Sequence, residues 1–393
     1  MATIIEKFVA YIKSNDSLSI FFKRAVYNYR YKPNSQIVSI QNIENCKVNI
    51  VQKLFDRGEF KNYFPKIFNK DELYNEVLTP EVSLYQFNNA YIDINSSSIL
   101  LKENLVTFRT KDERFNEGFI KFHNNKHAKI EKKAEIEELN EGLFLGGNGS
   151  WNWFHFLIEI IPKLTLFKEQ YTNILFVNQI ILKIPSMKRI LDVLVENKFE
   201  IKYLSSEKTY FIKELYYIND FNHVQFNRFD KLITSDGTFY NAEITRNFSN
   251  LVSEKLLIKD NLPDKIFLYR KNTHRVAENQ DRILEFLKDF GFVAVCLEEL
   301  SIDEQASYFR TAKFIIGITG AAWSNMLFCR NQPKAICFVP DNAEEFTAFS
   351  NLAKIFRVDF YAQLYKNDGA HTNSNFIINF EKFVELFNYV NGK

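Results

Sequence analysis

Residues 265–340 read KIFLYRKNTHRVAENQDRILEFLKDFGFVAVCLEELSIDEQASYFRTAKFIIGITGAAWSNMLFCRNQPKAICFVP, and this stretch decides the fold. Residues 265–270 are an apolar strand ending in charge. Residues 278–290 carry a helical pattern stopped by Gly291, a residue type favoured just past a helix end. Residues 292–297 read as the next strand. Ser301 with Glu304 three residues later is a capping box, which opens a helix running to about Ala312. Residues 313–318 are again a strand, 320–328 a turn into a helix, and 335–339 a strand ending at Pro340. Repeated strand–helix units of this kind build one half of a Rossmann-like parallel sheet.

Upstream the same alternation continues less cleanly. Residues 142–145 predict a strand, 146–150 a turn, 151–168 a long helix, 173–177 a strand, 187–197 a helix and 201–204 a strand. A helix over 241–257 precedes a polar, proline-containing break at 259–264, which places a domain boundary there. The expectation is an α/β protein of two Rossmann-like domains, 1–260 and 261–393, facing across a cleft, with the last helix packing back on the first domain. In the first 140 residues, 82–87 and 90–94 suggest short strands. The polar, charged stretch 121–140 reads as a surface loop or exposed helix.

Bulk properties bound the function. A chain of 393 residues exceeds the ~100–200 of a single domain, so two domains are the natural expectation. With 50 Lys and Arg against 48 Asp and Glu, the net charge of +2 gives no electrostatic case for nucleic-acid binding. Cys46, Cys296, Cys329 and Cys337 form no CxxC pair and no disulfide framework, which favours a reducing, cytoplasmic compartment. No run reaches the ~18 apolar residues of a membrane span, and the N-terminus lacks a signal-peptide cleavage pattern. Residues 17–32 mix aromatics with Lys23, Arg24, Arg30 and Lys32. They read as a surface helix or, alternatively, as peripheral contact with an anionic membrane.

Three constellations can carry chemistry. GITGAAWSN, residues 317–325, lies between a strand and a helix, where small residues admit a phosphate and free N–H groups face it. The same pattern also serves a tight turn packed for its own sake. YRKNTHR, residues 269–275, falls on the same sheet edge, so Arg270 and Arg275 can reach a diphosphate or form a solvated basic loop. On the predicted long helix, a narrow stripe of Asn152, His155, Glu159 and Lys163 interrupts an otherwise apolar surface. His155 and Glu159, four apart, are either a general base with its orienting partner or a structural pair. Asp220 is a further candidate base. There is no DxD, HExxH, GxSxG, GxGxxG or Walker A pattern, so neither a bound metal nor a nicotinamide cofactor is expected.

Together these motifs resemble glycosyltransferase family 61, whose members include bacterial capsule and lipopolysaccharide enzymes. The resemblance covers roughly residues 142–340. WFHFLIE, 153–159, followed by Pro162 is similar to the family's aromatic–aromatic–His–aromatic–Leu pattern, with Glu159 where Asp is frequent. Arg270, Arg275 and the pair Glu278–Asn279 look like its arginine-then-Asn-Glu segment, with the last two swapped. Leu300, Ser301, Glu304 and Gln305 resemble its Leu-Ser…Glu-Gln helix start. GITGAA, 317–322, is similar to its Gly-x-His-Gly-Ala turn, with Thr319 where His is usual.

The resemblance implies a GT-B architecture, an inverting mechanism and a nucleotide-sugar donor, UDP-linked by expectation, held by the C-terminal domain. Residues 1–260 would then form the acceptor side, facing an oligosaccharide or glycolipid. Arg270, Arg275, Thr319, Gly320, Ala321 and Ala322 would hold the donor, and Asn325 would contact the nucleotide or cap the turn. One of His155 and Glu159 would take the acceptor's proton while the other orients it. The rival readings are a non-catalytic glycan-binding module, a polysaccharide pyruvyltransferase-like enzyme and a structural scaffold.

Overall fold

The computed structural model describes residues 18, 35–46, 48–108, 118–124, 126–224, 235, 237–271, 275–366 and 375–392. The stretch 17–32 read as a surface helix or membrane contact lies outside these residues except for Leu18, and so do Asn272, Thr273 and His274.

The second half of the chain builds a six-stranded sheet that is parallel throughout. Its order is Val293–Val295, Lys265–Leu268, Phe314–Ile318, Lys334–Pro340, Asp359–Tyr365 and Lys66–Ile67. Parallel sheets are covered on both faces, so their strands are apolar runs rather than alternating ones, and every residue of Phe314–Ile318 is buried. Helix Ile302–Thr311 starts with the full capping box of Ser301 and Glu304. The strands Lys265–Leu268 and Phe314–Ile318 are neighbours, with Leu268 opposite Gly317. A Cβ on Gly317 would sit 2.7 Å from that of Leu268. This register brings Arg270 and Gly320, each two residues past its strand, to the same point of the carboxyl edge.

The last helix, Phe380–Asn391, packs mainly on the second sheet and meets the first half through Tyr389, whose ring lies 4.8 Å from that of Phe68. It lays Phe383, Phe387 and Val390 on the second sheet, with Phe387 stacked on Phe314 at 5.7 Å and Phe383 edge-on to Phe338. The crossing also runs the other way. Lys66–Ile67, from the first hundred residues, forms the outermost strand beside Asp359–Tyr365.

The first half is a mixed sheet of eleven strands, Rossmann-like only in its parallel part. Four strands are parallel: Glu200–Leu204, Ile174–Asn178, Ile136–Leu145 and Thr209–Ile218. The single long strand Val82–Ile92 then runs antiparallel to Thr209–Ile218, where two short strands were expected, and it leads into a largely antiparallel extension. The charged stretch 121–140 contributes strands to this sheet and is neither loop nor helix. In His127–Glu131, Ala128 and Ile130 alternate inward while the charged neighbours lie between them, which is strand periodicity carried by two small apolar side chains.

The halves share one core. Buried side chains run without a break from Leu143 and Leu157 through Phe248 and Val252 to Trp323, Met326 and Leu352. Among the described residues, no helix is long and apolar enough to cross a membrane. All four cysteines are free, and Cys329 and Cys337 are buried.

Candidate functional site

At the carboxyl edge of the second sheet, the Arg270 guanidinium donates to the Thr319 carbonyl at 2.7 Å and to the Arg275 carbonyl at 3.3 Å. Gln280 fixes the backbone of Arg270 from both sides, receiving its N–H and donating to its carbonyl. A Cβ on Gly320 would collide with the Arg270 guanidinium, so glycine is required for the arginine to lie across the turn. Arg275 approaches the same spot, its Nη2 4.0 Å from that Cβ position. Its backbone is turned into the left-handed region at φ 63°, a conformation that costs a side-chain-bearing residue about 1–2 kcal/mol.

Two like charges thus share a half-buried corner. Burial first, and the neighbouring Arg275 second, push the Arg270 guanidinium down to about 10. Burial also lowers Arg275, and it pushes the Tyr365 phenol beside them up to about 12. Such a corner favours an anion, because an anion restores the charge balance that desolvation has removed. Thr319 is buried and donates its N–H to the Phe338 carbonyl, while Ala321 and Ala322, half-buried, open the 3₁₀ helix Ala321–Phe328.

The stripe bearing His155 and Glu159 sits on a helical segment that is not the regular α-helix expected. It has one α turn, Trp153–His155, a π turn, Phe156–Ile160, and a 3₁₀ stretch, Ile161–Leu166. Pro162 explains the change. Proline has no N–H to give the carbonyl four residues back, and its ring pushes that carbonyl away. The carbonyl is that of Ile158, and the Asn222 side chain donates to it at 2.8 Å. Asn222 is itself held by Thr245 and by the backbone N–H of Asn241.

Within this segment His155 Nδ1 lies 2.9 Å from Glu159 Oε2, and both side chains are buried. The second oxygen, Oε1, accepts the Val224 N–H at 2.7 Å. A carboxylate on Nδ1 holds the proton there and makes Nε2 the accepting nitrogen. Tyr240 is fully buried, and burial followed by the charge of Glu159 drives its phenol far above the ordinary value. It stays a neutral donor, bonded to the Ala348 carbonyl at 3.0 Å. One turn further on, Lys163 pairs with Asp220 at 2.7 Å, both buried.

The two motifs meet through Asn325. Its Oδ1 accepts the Trp153 indole N–H at 2.9 Å, and its amide donates to Gln305 Oε1 at 2.9 Å. Gln305 in turn donates to the carbonyls of Leu297 and Leu300. Asn325 is fully buried and committed on both sides, so it joins the helical segment to the helices of the second sheet.

Residues 153–336 match the family model of Glycosyltransferase 61. The chain is a glycosyltransferase. The match begins at Trp153, the head of the helical segment, and ends inside the strand Lys334–Pro340. It therefore takes in both halves of the site and supports family 61. No curated protein matches the chain.

Sequence reasoning about this glycosyltransferase picked His155, Glu159, Arg270, Arg275 and the turn 319–322 as candidates, but it missed much of what holds them. Asn222 was discoverable from Pro162, because a proline inside a helix leaves a carbonyl in need of a donor. Trp153 carried a signal too, since a half-buried indole N–H needs an acceptor. Gln305 stood in the Leu-Ser…Glu-Gln motif with no partner indicated, and Gln280 gave no sign beyond its helix. Asp220 is engaged with Lys163, which the two residues' distance in sequence concealed. Among the described residues no three His, Cys, Asp or Glu side chains gather to hold a metal ion.

Proposed function

We propose that this glycosyltransferase is an inverting, metal-independent enzyme of GT-B type. It transfers a sugar from a nucleotide-sugar donor, a UDP-sugar by first choice, to a glycan acceptor. The single observation that carries the donor reading is the Arg270 guanidinium lying across Gly320 with Arg275 beside it. In this reading the donor diphosphate occupies that corner, and the arginines with the N–H groups after Gly320 stabilise the charge that develops on the leaving phosphate. Cationic side chains then do the work that a divalent ion does elsewhere.

The acceptor hydroxyl attacks the anomeric carbon from the face opposite the diphosphate. A new C–O bond forms as the bond to phosphate breaks, and the hydroxyl proton passes to His155. Glu159 is the orienting partner, because one of its oxygens meets Nδ1 and the other is taken by the Val224 N–H. The wider setting we propose is bacterial surface polysaccharide synthesis at the cytoplasmic face of the membrane, with an oligosaccharide or glycolipid as acceptor.

The test is a thermal-shift and donor-hydrolysis screen of the full chain against UDP-, GDP-, CMP- and dTDP-sugars with EDTA present. Stabilisation by one nucleotide class with slow nucleotide release is the expected result. Silence across the panel, or activity only after EDTA is replaced by a divalent ion, would overturn it.

A further inference from the structure

A cavity of about 450 Å³ opens on the first sheet, away from the arginine corner, and lies in the range of ~300–1,000 Å³ that suits small ligands. Glu44, Arg57, Glu81, Tyr85, Phe108 and Asn219 are among the residues lining it. Only Asn219 of these belongs to the stretch matched by the family model.

The composition of the wall is specific in kind. Phe108 is half-buried and stacks on Tyr217 with ring centroids 4.2 Å apart, and Tyr85 lies tilted against it at 6.1 Å. Around these rings the rim carries carboxylates, an amide and a guanidinium. Among the described residues of the rim the charges are paired: Arg57 with Glu44, and Glu81 with Lys53 at 2.7 Å. An aromatic floor that accepts C–H faces, under a rim of donors and acceptors whose described charges are paired, matches an uncharged sugar ring.

The cavity is also wired to the catalytic segment. Tyr217, beneath Phe108, has Lys163 Nζ 4.8 Å from its ring centroid on the same helical segment as His155 and Glu159. Asn219 precedes Asp220, which pairs with Lys163.

We propose that this cavity is a subsite for a neutral sugar of the acceptor, bound away from the reacting hydroxyl. The proposal rests on the transferase reading above. It places acceptor selection in the strands before residue 110 and not in the family-matched region.

The experiment uses the full chain and a panel of neutral gluco-, galacto-, manno- and xylo-configured di- and trisaccharides. Saturation-transfer NMR reads sugar binding with no donor present, and steady-state transfer reads the acceptor KM. One panel member should bind, and Phe108→Ala should raise its Kd and acceptor KM at least tenfold, with donor hydrolysis and kcat at saturating acceptor unchanged. Because Phe108 also packs on Tyr217, Arg57→Ala and Glu44→Gln on the exposed rim serve as second variants, each expected to raise acceptor KM severalfold at constant melting temperature. The proposal is overturned if no neutral sugar binds, or if all three variants leave acceptor KM unchanged. It also fails if donor hydrolysis falls in step with acceptor use. Loss of donor hydrolysis in the parent chain with sugar binding intact would instead count against the transferase reading alone.

Discussion

The arginine corner and the His155–Glu159 segment solve opposite problems. In the corner, the Arg270 guanidinium donates to the backbone carbonyls of Thr319 and Arg275 and, partly stripped of water, shares the spot with the Arg275 guanidinium, an arrangement that favours an anion. In the segment the charge is matched internally: His155 meets Glu159, Lys163 meets Asp220, and the carbonyl orphaned by Pro162 meets Asn222. In the proposed function the corner binds the donor, and the segment holds the reactive pair still. Stability and activity should therefore separate differently in the two regions.

His155→Gln should show the largest effect on turnover. Removing a general base costs about 10²–10⁴-fold in kcat, with nucleotide affinity unchanged when read by titration. If transfer survives, the pair is structural and the contrast disappears.

Arg270→Ala comes next, with kcat/KM lower by about 10²–10³-fold, as for loss of one preorganised donor to developing charge. Its melting temperature should hold or rise, since the variant removes a cation that burial disfavours. A clear fall in melting temperature would mean that the corner is a structural device like the segment.

Asn222→Ala strips the Ile158 carbonyl of its donor and should cost about 1–3 kcal/mol, seen as a lower denaturation midpoint. Nucleotide affinity should not move, which separates the segment's framework from the donor corner.

The smallest effect is expected for Trp153→Phe, which keeps the ring and removes one hydrogen bond to Asn325, worth about 1 kcal/mol. Transfer should fall while donor hydrolysis stays. An equal loss of both would mean that the bridge supports the donor corner directly.

What could be read from sequence follows the range of the forces involved. The second sheet was legible because each of its strands from Lys265 onward is followed by a helix, and local signals such as Ser301–Glu304 and Gly291 mark the boundaries. In the first sheet the parallel strands around 142–145, 173–177 and 201–204 were legible in the same way, but the antiparallel part was not, since it joins Val82–Ile92 to Thr209–Ile218 across more than a hundred residues. Its charged strand His127–Glu131 reveals its inward face through Ala128 and Ile130 alone. The candidate site residues could be chosen by chemistry and spacing. The amides that position them act across elements: Asn325 and Gln305 fall in motifs that the sequence singles out and Asn222 answers Pro162, while nothing in its immediate neighbours marks Gln280.

The short strand Lys66–Ile67 has a consequence for how the chain is made. Ile67 lies opposite Ala362, so the outer edge of the second sheet is closed by a segment synthesised long before the strand it protects. During translation that segment waits for its partner, and folding cannot proceed as two units finished one after the other. A fragment starting at residue 261 would leave the backbone groups of Asp359–Tyr365 open along that edge, a template for pairing with a second copy. The early residues thus guard the late ones against self-association, and any dissection of this enzyme into halves has to carry Lys66–Ile67 with the second.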